Sequence, residues 1–152
     1  CVESKRNTAS AMQIPDTNVL LFAVNPDSPC REVAQRSLNE AVQHPQGMGL
    51  TWIGLVAFIR LTTRAPVLRE PLPVDAALRV VQGWLDHPAV QLVQPGARHM
   101  DILSRLLLAA GRAGNLTNDA HIAAIAIEHN AEVLTFDRDF AKFTGLRYQL
   151  LS

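Results

Sequence analysis

Short apolar runs that are typical of buried strands alternate along the chain with longer stretches in which apolar residues recur at helical spacing. Strands are predicted at residues 12–16, 49–51, 90–93, 132–135 and 147–150. A first helix is predicted to start with Ser28 as its cap and Pro29 as its first residue, and to stop before Pro45. Further helices are predicted at residues 52–61, 74–85, 98–110 and 119–128, with a short helical turn around Phe140 and Phe143.

Strands that alternate with helices indicate an α/β fold with a parallel, doubly wound sheet, because parallel strands are joined by right-handed helical crossovers. The first strand contains Pro15, which has no N–H to donate and is tolerated only near a strand end. We therefore predict that this strand runs into a turn at Thr17-Asn18. Gly111 or Gly114 is expected to close the helix before it, and Asn130 to end the helix of residues 119–128 in a left-handed cap.

The composition is that of one globular domain. The 152 residues are 48% apolar and carry a formal net charge of zero, with a sequence pI of about 7.1. This balance gives no overall basic signature for nucleic acid, so any contact with nucleic acid would rely on local patches. No repeat, low-complexity segment or long linker divides the chain.

The first 11 residues are polar and are predicted to be a leader outside the fold, with Met12 as a plausible native start and residues 12–152 as a single domain. No signal peptide or membrane span is predicted, because the apolar run after the leader is interrupted by Pro15 and Asp16. Cys1 and Cys30 have no metal-binding spacing and suggest no disulfide framework. A reducing cytoplasm is therefore the expected location.

Carboxylates follow at least two of the predicted strands. Asp16 ends the first strand, and Asp137 and Asp139 come just after the strand of residues 132–135. Asp119 lies at the start of the apolar helix that precedes this strand. In open parallel sheets, ligands bind in the crevice beyond the carboxyl ends of the strands. Carboxylates gathered there suit a hard divalent cation that binds phosphate oxygens, so we predict a metal-dependent phosphodiesterase.

Each acid also has a purely structural interpretation. Asp119 can cap its helix or favour the helix dipole, and Asp16 can form a turn. Asp137 and Asp139 can belong to a solvated turn that contributes little stability. Of these two we predict Asp137 as the metal ligand and Asp139 as its support. The histidines show no metal-binding pattern, and His121 is expected to be structural or to lie behind the ligands.

Three segments resemble a known family. Residues 14–20, which read Ile-Pro-Asp-Thr-Asn-Val-Leu, resemble the opening motif of PIN domains. Residues 118–124 and 135–140, which read Asn-Asp-Ala-His-Ile-Ala-Ala and Thr-Phe-Asp-Arg-Asp-Phe, resemble their closing motifs. Residues 58–63, 84–85 and 114–116 more narrowly resemble the VapC toxins of bacterial toxin–antitoxin pairs. The resemblance covers residues 12–151.

This resemblance implies a PIN-like three-layer fold, in which helices flank a central parallel sheet. It also implies a ribonuclease that depends on Mg²⁺ or Mn²⁺, forms a homodimer and is inhibited by a cognate VapB-like antitoxin. The antitoxin would insert an amphipathic helix into an apolar groove near residues 30–62. The family's acidic residues correspond to Asp16, Asp119 and Asp137 as catalytic metal ligands, with Asp139 as an auxiliary catalytic acid. Asn18 corresponds to a polar position beside them.

The chain departs from the family at one position. Many members have a Glu on the second conserved helix where this sequence has Ala57, and no acid occurs between Glu40 and Glu70. We expect the remaining aspartates and water to hold the metal, since Mg²⁺ accepts a site with few carboxylates. The alternative is a PIN-like module that binds RNA or a partner without efficient catalysis. A receiver-like signalling domain is disfavoured, because the only Lys after Lys5 is Lys142.

Overall fold

The computed structural model describes residues 11–152. Five strands, β1 to β5, occupy Gln13–Pro15, Met48–Leu50, Val90–Leu92, Glu132–Thr135 and Arg147–Leu150. Six α-helices, α1 to α6, occupy Thr17–Val24, Arg31–Gln43, Trp52–Thr62, Val74–Asp86, His99–Ala110 and Thr117–Glu128. Short 3₁₀ helices occupy Gly114–Leu116 and Arg138–Lys142. Apart from the buried Ala11, the predicted leader lies outside the described residues.

The strands form one parallel sheet in the order β3-β2-β1-β4-β5. The central strand β1 pairs with β4 so that Ile14 lies beside Val133 and Pro15 beside Leu134. Pro15 is the last residue of its strand, where its missing N–H interrupts little of the ladder. The predicted parallel α/β sheet is therefore confirmed.

Two hydrophobic cores, one on each face of the sheet, give the molecule three layers. Ile14 and Val133 pack with apolar residues of α5 and α6. Met48, Leu50 and Leu134 pack on the other face with apolar residues of α1, α2 and α3. The neighbours Val133 and Leu134 therefore belong to opposite cores, as expected for successive residues of a strand. The predicted three-layer arrangement is confirmed.

One predicted turn is wrong. Thr17 and Asn18 begin α1, in which Asp16 is the N-cap and its carboxylate accepts a hydrogen bond of 2.7 Å from the Thr17 N–H. The helix is apolar on nearly every side, with Val19, Leu20, Leu21 and Ala23 buried, so it has no helical periodicity in its sequence. Burial against α2 and α3 stabilises a helix that the pattern alone did not indicate.

Other helix ends agree with the sequence or shift slightly. Gly111 closes α5 with a φ of 77°, and Asn130 follows α6 with a φ of 57°, as predicted. The predicted start at Ser28-Pro29 is too early, because α2 begins at Arg31. Ser28 accepts a hydrogen bond from the Cys30 N–H within the preceding turn, so its capping geometry stabilises a turn and not the helix. Within residues 11–152, no helix is long and apolar enough to cross a membrane.

Candidate active site

Two neighbouring strands bring acidic side chains to one edge of the sheet. Asp16 follows β1 directly, and Asp137 follows β4 by two residues. Because β1 and β4 are adjacent and parallel, both aspartates lie at the carboxyl ends of their strands. The Asp16 N–H donates to the Leu134 carbonyl over 2.8 Å and extends the ladder up to the site. The predicted crevice therefore begins where the central strands end.

Asp16 is almost fully buried, with 5% of its surface exposed. One carboxylate oxygen accepts the Thr17 N–H, and the other accepts the Thr135 hydroxyl at 3.0 Å. Burial raises the pKa of Asp16, while these two hydrogen bonds lower it and the nearby Asp137 charge raises it further. The hydrogen bonds hold the carboxylate in a single orientation, and each oxygen keeps a lone pair for a further partner.

Asp119 comes from a helix. It is the third residue of α6, whose buried alanines and isoleucines pack toward the sheet. Partial burial, together with the charges of Asp16, Asp137 and Asp139, raises the pKa of Asp119 to about 7. This shift is the reverse of what a helix N-terminus alone would cause, so loss of hydration and repulsion between carboxylates outweigh the helix dipole. Such repulsion is what a bound cation would relieve.

The two acids after β4 have different surroundings. One Asp137 oxygen accepts the Asp139 N–H at 2.8 Å and caps the short 3₁₀ helix that follows. Asp139 is half-exposed and forms a salt bridge of 2.8 Å with Lys142. This hydrogen bond and ion pair, together with the charge of Arg112, lower the pKa of Asp139. Asp139 thus stays ionised beside the cleft and supports Asp137 through its backbone.

A cleft of about 230 Å³ contains the three predicted ligands. Its carboxylates are Asp16, Asp119 and Asp137, and Asp139 is not among its lining residues. The other lining residues are Thr17, Asn18, Ile53, Ala57, Leu61, Asn115, Asn118 and Ile122. Ala57 therefore faces the carboxylates, at the place that the resemblance assigns to a glutamate.

The donor chemistry of the cleft fits a hard divalent cation, because carboxylate oxygens are the ligands that Mg²⁺ and Mn²⁺ prefer. Within residues 11–152, however, no group of three His, Cys, Asp or Glu side chains is arranged as a ready metal site. Mg²⁺ requires only one or two carboxylates when water fills its other positions. The shared cleft and the repulsion that Asp119 experiences from the other carboxylates therefore still fit a cation that keeps most of its water ligands.

His121 lies beside the site but not in its cleft. Its Nδ1 is 2.9 Å from Nε2 of His99, and the two rings meet edge to face. Partial burial and the neighbouring His99 lower the pKa of His121. The pair joins α5 to α6, two residues after Asp119 in the chain. The prediction that His121 is structural or lies behind the ligands stays a prediction.

Sequence reasoning missed several residues of the site. Thr135 lies in a predicted strand and begins the second closing motif, but no role in the site is predicted for it. In the structure its hydroxyl bonds Asp16 and accepts the Asp137 N–H at 2.9 Å. The signal was present, because a threonine two residues before an aspartate often bonds the following backbone. Asn115 and Leu61 also line the cleft. Both lie in segments that resemble the VapC toxins, but the resemblance assigns neither of them a role in the site.

Comparison with known proteins agrees with this architecture. Residues 14–146 match the PIN domain family. The chain is 44% identical to Ribonuclease VapC37 of Mycobacterium tuberculosis over 137 residues, which cover 90% of this chain and 95% of the relative. It is 41% identical to Ribonuclease VapC33 of the same organism over 137 residues, with coverages of 90% and 96%. The chain therefore belongs to the PIN-domain family and, within it, to the VapC ribonucleases.

Solved structures share the fold at low sequence identity. VapBC2 from Rickettsia felis, bound to a DNA fragment from its promoter, has a TM-score of 0.65 and 18% identity, covering 92% of this chain and 98% of that one. VapC20 of Mycobacterium tuberculosis, a toxin that cleaves the sarcin-ricin loop, has a TM-score of 0.63 and 18% identity, with coverages of 89% and 98%. These structures confirm the predicted PIN-like three-layer fold.

Proposed function

We propose that this protein is a metal-dependent endoribonuclease toxin that a cognate antitoxin inhibits. The observation that carries the proposal is the meeting of Asp16, Asp119 and Asp137 in one cleft, although they come from three separate elements. The relatives named Ribonuclease VapC37 and Ribonuclease VapC33 cover nearly the whole chain and support RNA as the substrate.

Asp16, Asp119 and Asp137 would hold Mg²⁺ or Mn²⁺ through carboxylate oxygens. When bound, such an ion supplies a Lewis acid that lowers the pKa of water and neutralises charge on phosphoryl oxygens. Hydrolysis then adds one water across a P–O bond of RNA: the water oxygen joins phosphorus, one bridging oxygen leaves, and that oxygen takes up a proton. No covalent intermediate with the protein is required.

The side chains around the cleft have three separate roles in the proposed reaction. The hydrogen bonds from Thr17 and Thr135 keep the Asp16 carboxylate oriented before any ligand arrives. The Asp119 carboxyl has a pKa of about 7, so near neutral pH it would give up its proton where it holds a cation. Asp139, kept ionised by Lys142, adds negative charge at the edge of the site and restrains Asp137.

The antitoxin is proposed to bind the predicted apolar groove near residues 30–62. Trp52 and Val56 lie one helical turn apart on α3 and expose 52% and 59% of their surfaces. Exposed aromatic and aliphatic residues at this spacing suit the apolar face of a partner helix.

We also propose that the toxin is a homodimer in the cytoplasm. Size-exclusion chromatography with light scattering would test the oligomeric state, and cell fractionation would test the location.

The test is incubation of purified, antitoxin-free protein with pooled cellular RNA and Mg²⁺ or Mn²⁺. Samples with EDTA and the variant Asp119→Asn are run beside it. Discrete fragments that are absent from both controls are the expected result. Wild-type cleavage by Asp119→Asn would contradict the proposed site.

A second function is favoured by one observation: Ala57 lines the cleft at the place that the resemblance assigns to a glutamate in many family members. It is a PIN-like module that binds RNA or a partner without efficient cleavage. A folded, antitoxin-free sample that binds RNA but produces no fragments would establish this second function. Recovery of cleavage in Ala57→Glu would then identify the missing carboxylate as the cause.

A further inference from the structure

The cleft beside the carboxylates has an apolar wall. Ile53, Ala57 and Leu61 lie four residues apart on α3, so they share one face of the helix, and all three line the cleft. They are half-buried, whereas the core residues Leu55 and Phe58 of the same helix are fully buried. Packing inside the protein therefore accounts for only part of their surface.

The small side chain of Ala57 shapes this wall. A glutamate at this position would bring both volume and charge to the middle of the stripe. With alanine, the wall between Ile53 and Leu61 is uncharged and leaves space next to the aspartates. A charged phosphate is suited to the metal-binding side of the cleft, but this wall suits a flat group with apolar faces.

Amide side chains lie in the same cleft. Asn115, next to the start of α6, and Asn118, within its first turn, both line it and are exposed to solvent. Neither side-chain amide has a hydrogen-bond partner within the part of the chain that the structure describes. Each offers two donor hydrogens and one acceptor oxygen, the combination that pairs with the edge of a nucleobase.

We propose that Ile53, Ala57 and Leu61, together with Asn115 and Asn118, form a subsite for one unpaired nucleobase next to the scissile phosphate. The inference rests on the proposed ribonuclease function and adds the part of the substrate that this wall takes. A nucleobase has apolar faces and a polar edge, and in single-stranded RNA both are exposed. Its link to a phosphate at the carboxylates keeps it within reach of the wall. An apolar side chain of a protein partner could pack on the wall, but it would form no hydrogen bond with Asn115 or Asn118. A nucleobase therefore fits the cleft better.

The first experiment compares Ala57→Met with Ala109→Met. Both replace a helical alanine by methionine, but Ala57 lines the cleft, whereas Ala109 is exposed on α5 and is not among the residues that line the cleft. Pooled RNA is cleaved with Mn²⁺, and the fragment ends are sequenced. Since one methylene in a pocket changes discrimination by roughly tenfold or more, Ala57→Met should shift the nucleotide preference beside the cut and raise KM about tenfold. Ala109→Met should match the wild type.

An unchanged cleavage profile and KM in Ala57→Met would overturn the subsite. If Ala57→Met weakened only inhibition by the antitoxin, the wall would be a partner contact, and the proposal would equally be overturned.

A second measurement does not depend on cleavage. Methyl NMR signals of Ile53 and Leu61 are followed in Mg²⁺ while the four nucleoside 5′-monophosphates are added, with ribose 5-phosphate as the probe that lacks a base. Shifts with a nucleotide but not with ribose 5-phosphate, absent in Ala57→Met, are expected. Equal shifts with both probes, or none, would overturn the subsite. If the wild type cleaves no RNA, the ribonuclease proposal fails, and this measurement decides the subsite separately.

Discussion

The Thr135 hydroxyl donates a hydrogen bond of 3.0 Å to the Asp16 carboxylate, although 119 positions separate the two residues in the chain. The same hydroxyl oxygen accepts the Asp137 N–H at 2.9 Å. Thr135 has no exposed surface. One buried hydroxyl therefore joins the carboxyl ends of β1 and β4 and sets the position of Asp16 relative to Asp137.

Substitution of Thr135 by valine should impair both stability and cleavage. The change keeps the shape but leaves the Asp137 N–H and one Asp16 oxygen without their partner, which costs about 1–3 kcal/mol in the free energy of unfolding. The rate of RNA cleavage should fall as well, because Asp16 loses its fixed orientation. Urea denaturation and initial cleavage rates measure the two effects.

Thr62→Val provides the matched control. Thr62 is equally buried, but its hydroxyl bonds the Phe58 carbonyl in its own helix, and Thr62 is not among the residues that line the cleft. This variant should keep the cleavage rate of the wild type, and Thr135→Ser should restore both properties at residue 135. A Thr135→Val enzyme with the wild-type rate would show that this hydroxyl does not position the site.

The parts of the fold that the sequence predicted are those with local signals. Alternating strands and helices, the left-handed end at Asn130 and the acids after strands all follow from short-range patterns. Helix α1 lacked such a signal because it is apolar on nearly every side. The bond from Thr135 to Asp16 and the place of Asn115 in the cleft depend on contacts between distant segments, so neither could be read locally.

The stability of the metal-free protein should depend on pH through Asp119. The carboxyl has an ordinary pKa of 3.8 and a folded-state pKa of about 7, so the folded state binds its proton more tightly. The free energy of unfolding should therefore fall as the pH rises between these values. Asp119→Asn has no carboxyl to titrate and should not show this fall. Between pH 4 and pH 7 the free energy of unfolding of the wild type should therefore fall by about 1–2 kcal/mol more than that of the variant, a reduced figure because solvent screens a half-exposed group.

Urea denaturation in EDTA, at several pH values, measures this difference. Asp101→Asn is the control, because Asp101 is the third residue of α5 as Asp119 is of α6, but it is exposed and outside the cleft. Its stability should follow the wild-type pH dependence. Identical pH profiles for Asp119→Asn and the wild type would show that Asp119 is not held near a pKa of 7.

Adding a carboxylate at residue 57 should strengthen cation binding. Ala57→Glu places an acid in the cleft with Asp16, Asp119 and Asp137, and we expect the dissociation constant for Mn²⁺ to fall by about tenfold, or about 1.4 kcal/mol. Calorimetric titration without RNA measures this directly. Val56→Glu adds the same charge to α3 outside the cleft and should leave the affinity unchanged. Equal affinities for both variants would place the ion elsewhere.

Replacing Trp52 should weaken binding of the antitoxin without changing the rate of RNA cleavage. Trp52 exposes 52% of its surface on α3 and is not among the residues that line the acidic cleft. Aromatic anchors in an interface commonly contribute 2 kcal/mol or more, so Trp52→Ser should weaken antitoxin binding by about 30-fold. Titration of the antitoxin against the purified toxin measures the affinity, and RNA cleavage by the free variant should equal that of the wild type.

Leu108→Ser is the control, because Leu108 is 81% exposed on α5, outside the proposed groove. If Leu108→Ser weakened antitoxin binding and Trp52→Ser did not, the antitoxin would bind the α5 side of the molecule, and the groove near residues 30–62 would have to be abandoned.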